Sequence, residues 1–158
     1  EYTGTTTLSP SDFVGIADRC PRCYWLKVRG IRATRAPFPT IFNAIDSAMK
    51  THLTAERLRD IGIPIRELLK VDRVCSANLD GNIVIAGKPD ILGLTDDDEI
   101  VLLDAKTSKP SDKTLWRNQQ QLEAYRTAIE NPKIGKSASW DSLYLNREQP
   151  KVILNLWP

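Results

Sequence analysis

The apolar positions of the chain fall into alternating helical and extended patterns. Ser9-Pro10-Ser11-Asp12 predicts a helix start, with Ser9 as N-cap, Pro10 in the first position and Asp12 in the third. Phe13, Ile16 and Ala17 give that helix its apolar face, and Pro21 predicts a break or bend. Tyr24, Trp25, Leu26 and Val28 follow, as residues expected to pack under a sheet. Gly30, Pro37 and Pro39 mark a loop over 29–39. Ile41, Phe42, Ile45, Ala48, Met49 and Leu53 then recur at helical spacing, predicting a second helix from about Thr40 to Ile61, closed by Gly62. After a connecting segment over 64–70, strands are expected at Val71–Leu79, Ile83–Leu94 and Ile100–Ala105, the first two joined by Asp80-Gly81-Asn82. A polar loop over 107–115 leads to a third helix, Trp116–Glu130, which stops before Pro132. Asp141–Asn146 and Val152–Trp157 read as two closing strands.

The turn Thr95-Asp96-Asp97-Asp98-Glu99 lies between the last two of the three central strands. A hairpin symmetric about Asp97 sets Asp90 opposite Asp104 and Lys88 opposite Lys106. Directly opposed residues share a face, and the period of two keeps Lys106 on the face of Asp104. Two carboxylates and an ammonium thus converge. Opposed like charges weaken a sheet, so the pairing calls for a compensating charge. A divalent cation between the carboxylates supplies one, since hard cations take oxygen ligands. A cross-strand salt-bridge cluster is the plainer alternative.

Pro89-Asp90 followed by Asp104-Ala105-Lys106 resembles the signature of the PD-(D/E)XK nuclease superfamily. Gln121-Leu122-Glu123-Ala124-Tyr125 resembles the Gln-x-x-x-Tyr motif of its RecB-like branch, and the stretch from Leu8 to Leu26 is similar to that branch's opening helix. The likeness runs from about residue 8 to residue 126. It implies one domain over residues 1–158 with an α/β, restriction-endonuclease-like αβββαβ core, a central mixed sheet flanked by helices. It further implies a deoxyribonuclease that uses Mg²⁺ or Mn²⁺, with Asp90, Asp104 and the Ala105 carbonyl as metal ligands. Lys106 would orient or deprotonate the attacking water or pair with the phosphate, and Gln121 and Tyr125 would position the phosphate or order the site. The second helix would contribute one more ligand. Asp46, at the edge of the apolar stripe, is favoured; His52, nearer the stripe's centre and more like a hydrogen-bonded core residue, is the alternative, and Glu56 one turn further on also competes. The likeness extends to CRISPR-associated RecB-like exonucleases, but their C-terminal cysteines have no counterpart after residue 126. The same likeness implies a helicase or defence-complex partner. A DNA-binding or structural subunit that keeps the fold without catalysis is the competing function; intact Asp90, Asp104 and Lys106 argue against it.

Composition narrows the picture further. The 158 residues, 41% hydrophobic and 27% charged, match one ordinary soluble domain. The formal net charge of +2 says nothing about nucleic acid, but its distribution does. Arg19, Arg22, Lys27, Arg29, Arg32 and Arg35 occur without an intervening acidic residue, as phosphate-backbone contacts or a solvated face would. Arg29, Arg32 and Arg35, with Lys109 and Lys113 beside the site, are the candidate DNA contacts. The chain opens on Glu1 rather than Met, as a trimmed chain would, and shows no signal peptide and no eighteen-residue apolar run. Three cysteines, an odd number, suit a reducing interior and a cytoplasmic location. Cys20-Pro21-Arg22-Cys23 has metal-ligand spacing, but Cys75 is the only further thiol and structural sites want four ligands. The plainer expectation is two small, partly buried helix residues.

Overall fold

The computed structural model describes residues 4–18, 20–31, 40–70, 74–79, 82–106, 111–133 and 152–156, with the side chains of 15–18, Phe42, Asp46, Met49, Lys50 and 152–156 left aside. Its elements are β1 (Thr6–Leu8), α1 (Pro10–Asp18), α2 (Pro21–Val28), α3 (Thr40–His52), α4 (Ala55–Asp60), β2 (Glu67–Leu68), β3 (Val74–Cys75), β4 (Ile83–Gly87), β5 (Ile91–Leu94), β6 (Ile100–Asp104), α5 (Asp112–Glu130) and β7 (Val152–Leu156). Both sheets are mixed. One has the order β1-β4-β3, with β1 parallel to β4; the other runs β2-β5-β6-β7, with β7 parallel to β6. With helices packed against these sheets, this is the expected mixed α/β, restriction-endonuclease-like architecture.

The hairpin has the register that its symmetry predicts, with Ile91 facing Leu103, Leu92 facing Leu102 and Leu94 facing Ile100; the ladder ends there, so the expected pairs Asp90–Asp104 and Lys88–Lys106 lie beyond it. At the turn, Thr95 N–H donates to the Glu99 carbonyl (2.9 Å), and Asp98 takes a left-handed φ of 59°. A polar side chain tolerates that conformation. β5 and β6 are buried on both faces, so both read as continuous apolar runs. Leu92, Leu94, Ile100 and Leu102 form one core with Leu122, Ala124, Tyr125, Ala128 and Ile129 of α5. Ile91, Val101 and Leu103 join Leu58 of α4 and Ile65 on the other side. Burying each such side chain contributes about 1.5–3 kcal/mol.

Several sequence expectations are corrected. The second helix is interrupted: Thr54 caps a separate α4 by accepting the Arg57 N–H at 3.3 Å, so α3 ends at His52. Of the expected stripe, Ile41 and Ile45 are 63% and 39% exposed, whereas Leu53, beyond the end of α3, packs half-buried against the cluster of Leu58 and Ile65; the side chains of Phe42 and Met49 lie outside the described residues. Among the described residues Tyr24, Trp25, Leu26 and Val28 do not join the core under a sheet: Tyr24, Leu26 and Val28 are half-buried, and Trp25 is stacked by the Arg29 guanidinium 3.6 Å above its ring. Helical spacing shows which residues share a face, not whether that face meets a partner. The expected strand Ile83–Leu94 is broken by Lys88-Pro89-Asp90 into β4 and β5, which lie in different sheets. Within the expected strand Val71–Leu79, only Val74 and Cys75 form a strand among the described residues. α5 begins at Asp112, four residues early, because Ser111 and Thr114 form a reciprocal capping box. The strand expected at Asp141–Asn146 lies outside the described residues.

Asp12 ties α1 to α2. Its buried carboxylate accepts the Ser9 N–H (2.8 Å) and pairs with Lys27. Burial alone would raise its pKa, but the Lys27 ammonium and the Ser9 hydrogen bonds outweigh burial and hold it below the usual carboxylate value. A depressed carboxylate stabilises the fold above its unfolded pKa of about 3.9, and that stability is lost as pH falls through the lower folded value. Asp12→Ala should therefore cost about 1–3 kcal/mol at neutral pH, with the difference from wild type shrinking as pH drops below about 4. Urea denaturation at neutral pH and at low pH measures both.

Candidate active site

The site stands where the α5-facing side of the hairpin turns polar. Leu102 belongs to the core under α5, and Asp104, two residues on, keeps the same side. Asp90 stands in the equivalent position two residues before Leu92, and its Oδ2 accepts the Ala105 N–H at 3.3 Å. Above them, Gln121 and Tyr125 lie one helical turn apart on α5. Gln121 Nε2 donates to Asp104 Oδ1 at 3.1 Å, and the Tyr125 hydroxyl donates to the Lys88 carbonyl at 2.5 Å. Lys106 Nζ stands 2.5 Å from Asp104 Oδ2 and 3.5 Å from Gln121 Oε1. Asp90, Asp104, Lys106, Gln121 and Tyr125 are thus brought together, and Ala105 sits among them through its backbone.

Close packing holds the frame. A Cβ at Gly87 would lie 2.6 Å from Pro10 Cδ and 3.2 Å from Tyr125 Cε1, so α1 and the Tyr125 ring approach β4 only because no side chain stands there. That approach sets the Tyr125 hydroxyl on the Lys88 carbonyl and fixes the strand break leading into Asp90. Lys88 was not among the residues expected to serve the site. It serves through its backbone carbonyl, which the alternation of side chains does not signal.

Asp104 is only 4% exposed. Burial pushes its pKa up; the Lys106 ammonium pulls it back, the Asp90 carboxylate adds to the rise, and it settles at about 6. The Tyr125 hydroxyl is also pushed up, by burial first and then by Asp90 and Asp104. No hydrogen bond of regular geometry reaches buried Asp104 Oδ2, although the Lys106 ammonium stands beside it. Among the described residues its neighbour is the Lys106 ammonium, 2.5 Å away, and a buried oxygen in that setting suits a cation ligand. Two carboxylates and the Ala105 carbonyl are a donor set for a hard divalent ion. They fit such an ion as part of a set, because no third acidic, His or Cys side chain joins them among the described residues.

The remaining candidates are dispersed. His52 is exposed at the end of α3 and joins no cluster with the carboxylates, so it is neither a core histidine nor gathered into the site. Glu56 is exposed on α4. Asp46 belongs to α3, but its side chain lies outside the described residues, as do Arg19, Arg32, Arg35 and Lys109. Lys113 is exposed on the first turn of α5, and exposed Arg29 lies against Trp25.

Compared with known protein families, residues 39–153 match the PD-(D/E)XK nuclease superfamily. The match spans most of the chain, and the chain belongs to that superfamily. Its members are generally nucleases, hydrolases that typically use divalent metals. No curated protein and no solved structure matches the chain.

Proposed function

We propose that the protein is a metal-dependent deoxyribonuclease of the RecB-like type. The observation that carries this reading is buried Asp104, held by Gln121, paired with Lys106 and set beside Asp90. Asp90, Asp104 and the Ala105 carbonyl would hold Mg²⁺ or Mn²⁺, with Asp46 as the proposed ligand from α3. The ion's chemistry there is to acidify water and neutralise charge on the phosphoryl oxygens. Lys106 orients the attacking water or takes its proton, or meets the phosphate. Gln121 fixes the rotamer of Asp104 from α5. Tyr125 acts through the backbone, since its hydroxyl donates to the Lys88 carbonyl. Gln121-Leu122-Glu123-Ala124-Tyr125 supports the RecB-like assignment. Incubation with labelled single-stranded, duplex and circular DNA, with RNA beside them, in Mn²⁺ tests the function. Cleavage of DNA is expected; binding of DNA without cleavage would favour a catalytically silent module.

Two further outcomes follow from this reading. Asp46→Ala should lower Mn²⁺ affinity roughly tenfold or more, whereas His52→Ala should leave it unchanged. Calorimetric titration distinguishes them, and the opposite pattern would restore His52. The basic stretch is assigned to phosphate contacts, so removing the charges of Arg29, Arg32 and Arg35 together should flatten the salt dependence of single-strand affinity. The log–log slope should fall by about 2, at roughly 0.7 per contact, without altering base preference. Binding measured across salt in Ca²⁺, without turnover, reads this directly. An unchanged slope would shift the assignment to Lys109 and Lys113.

A further inference from the structure

The first turn of α2 brings two thiols to the surface. Cys20 is the N-cap residue and Cys23 stands three residues later, with Pro21 in the first turn and the Cys23 N–H donating to the Cys20 carbonyl at 2.9 Å. Both side chains are exposed, unlike the partly buried pair expected from sequence. Residues three apart in helical geometry have Cα atoms about 5 Å apart, inside the range that a disulfide spans. The Cys23 and Tyr24 N–H groups both donate to the Cys20 carbonyl, at 2.9 and 3.3 Å, so the turn that carries the two thiols is closed. No group of three or more His, Cys, Asp or Glu residues that could hold a metal ion forms among the described residues, so the pair is not part of a closed metal site there.

We infer that Cys20 and Cys23 form a redox-active dithiol, which closes reversibly to an intramolecular disulfide by exchange with small-molecule disulfides. The two thiols are not equivalent. The N–H groups of Cys23 and Arg22, followed by the Cys23 thiol, lower the pKa of Cys20, although none closes a regular capping bond. The Cys23 thiol is raised, chiefly because it shares its hydrogen with Cys20. Cys20 is therefore the attacking thiol and Cys23 the resolving one. In the first step the Cys20 thiolate attacks a glutathione disulfide, forming a mixed disulfide and releasing one glutathione thiolate. The Cys23 thiolate then attacks the Cys20 sulfur and releases the second glutathione. Two protein thiols are oxidised to one disulfide, glutathione disulfide is reduced to two thiols, and the two protons of the protein thiols pass to the departing glutathione thiolates. The step needs no residue of the candidate active site and does not depend on the nuclease reading.

The test equilibrates the full chain in glutathione buffers from fully reduced to fully oxidised, followed by acid quench, alkylation and mass spectrometry. Wild type should lose two alkylatable thiols together and keep Cys75. Cleavage after Arg22, inside the bridge, should leave two peptides joined until reduction. Cys23→Ser should stop at one glutathione adduct on Cys20, formed roughly tenfold faster than the Cys23 adduct of Cys20→Ser. Separate accumulation of two glutathione adducts on wild type, or disulfide-linked dimers only, would overturn the inference. So would protection of both thiols by Zn²⁺ at one ion per two chains, which would make the pair half of a metal bridge between copies.

Discussion

Asp104→Ala should lower the rate of DNA cleavage by roughly a thousandfold or more. The magnitude follows from what the carboxylate is asked to supply. Metal-assisted charge stabilisation is worth several kcal/mol, and each 1.36 kcal/mol is a factor of about ten in rate. Asp104 is the buried member of the pair, and it also receives the Gln121 bond and faces the Lys106 ammonium. Its loss removes a proposed ligand and releases two of the groups arranged around it. Asp104→Asn separates the two effects, because a neutral amide can still accept from Gln121 while losing the charge. Both variants should fail in cleavage and retain the cooperative unfolding of wild type. Buried at a cost, this carboxylate is not a group on which the fold depends. Single-turnover cleavage in Mn²⁺ together with a thermal melt measures both.

Lys106→Ala should also lose activity, by roughly a hundredfold to ten-thousandfold, but through a different channel. The ammonium donates no ligand atom, so Mn²⁺ should bind the variant at least as well as wild type. It stands 2.5 Å from Asp104 Oδ2, and its removal takes away a positive charge that competes for that oxygen. A rate lost with affinity kept assigns Lys106 to the water or the phosphate. A variant that lost the metal as well would make the lysine a structural partner of the carboxylates.

The heart of the site was legible because a hairpin has few degrees of freedom. Once the acidic turn is centred on Asp97, the period of two fixes the register from Ile91–Leu103 inward, and Asp90, Asp104 and Lys106 meet just past the end of that ladder. Gln121 and Tyr125 were legible as neighbours on α5 but not in what they touch, since helical spacing does not state which strand lies beneath. The Tyr125 bond to Lys88 depends on the close approach at Gly87, which a sequence pattern does not reveal. The short strands β1 and β2 carry too few residues for a periodic signal. Thr54 divides a run of helix formers by capping, and Trp25 of α2 and Ile41 and Ile45 of α3 keep helical spacing while staying exposed. For the Tyr125–Lys88 bond and the exposed apolar positions of α2 and α3, tertiary contact or its absence overrides the local pattern, whereas the Thr54 cap is itself a local interaction.

The most direct measurement is a calorimetric titration of Mn²⁺ into wild type and Asp104→Ala without nucleic acid. Saturable binding to wild type that disappears in the variant is the predicted result. Equal binding by both proteins, or binding by neither, would contradict the assignment of Asp90 and Asp104 as the metal-holding pair of a nuclease.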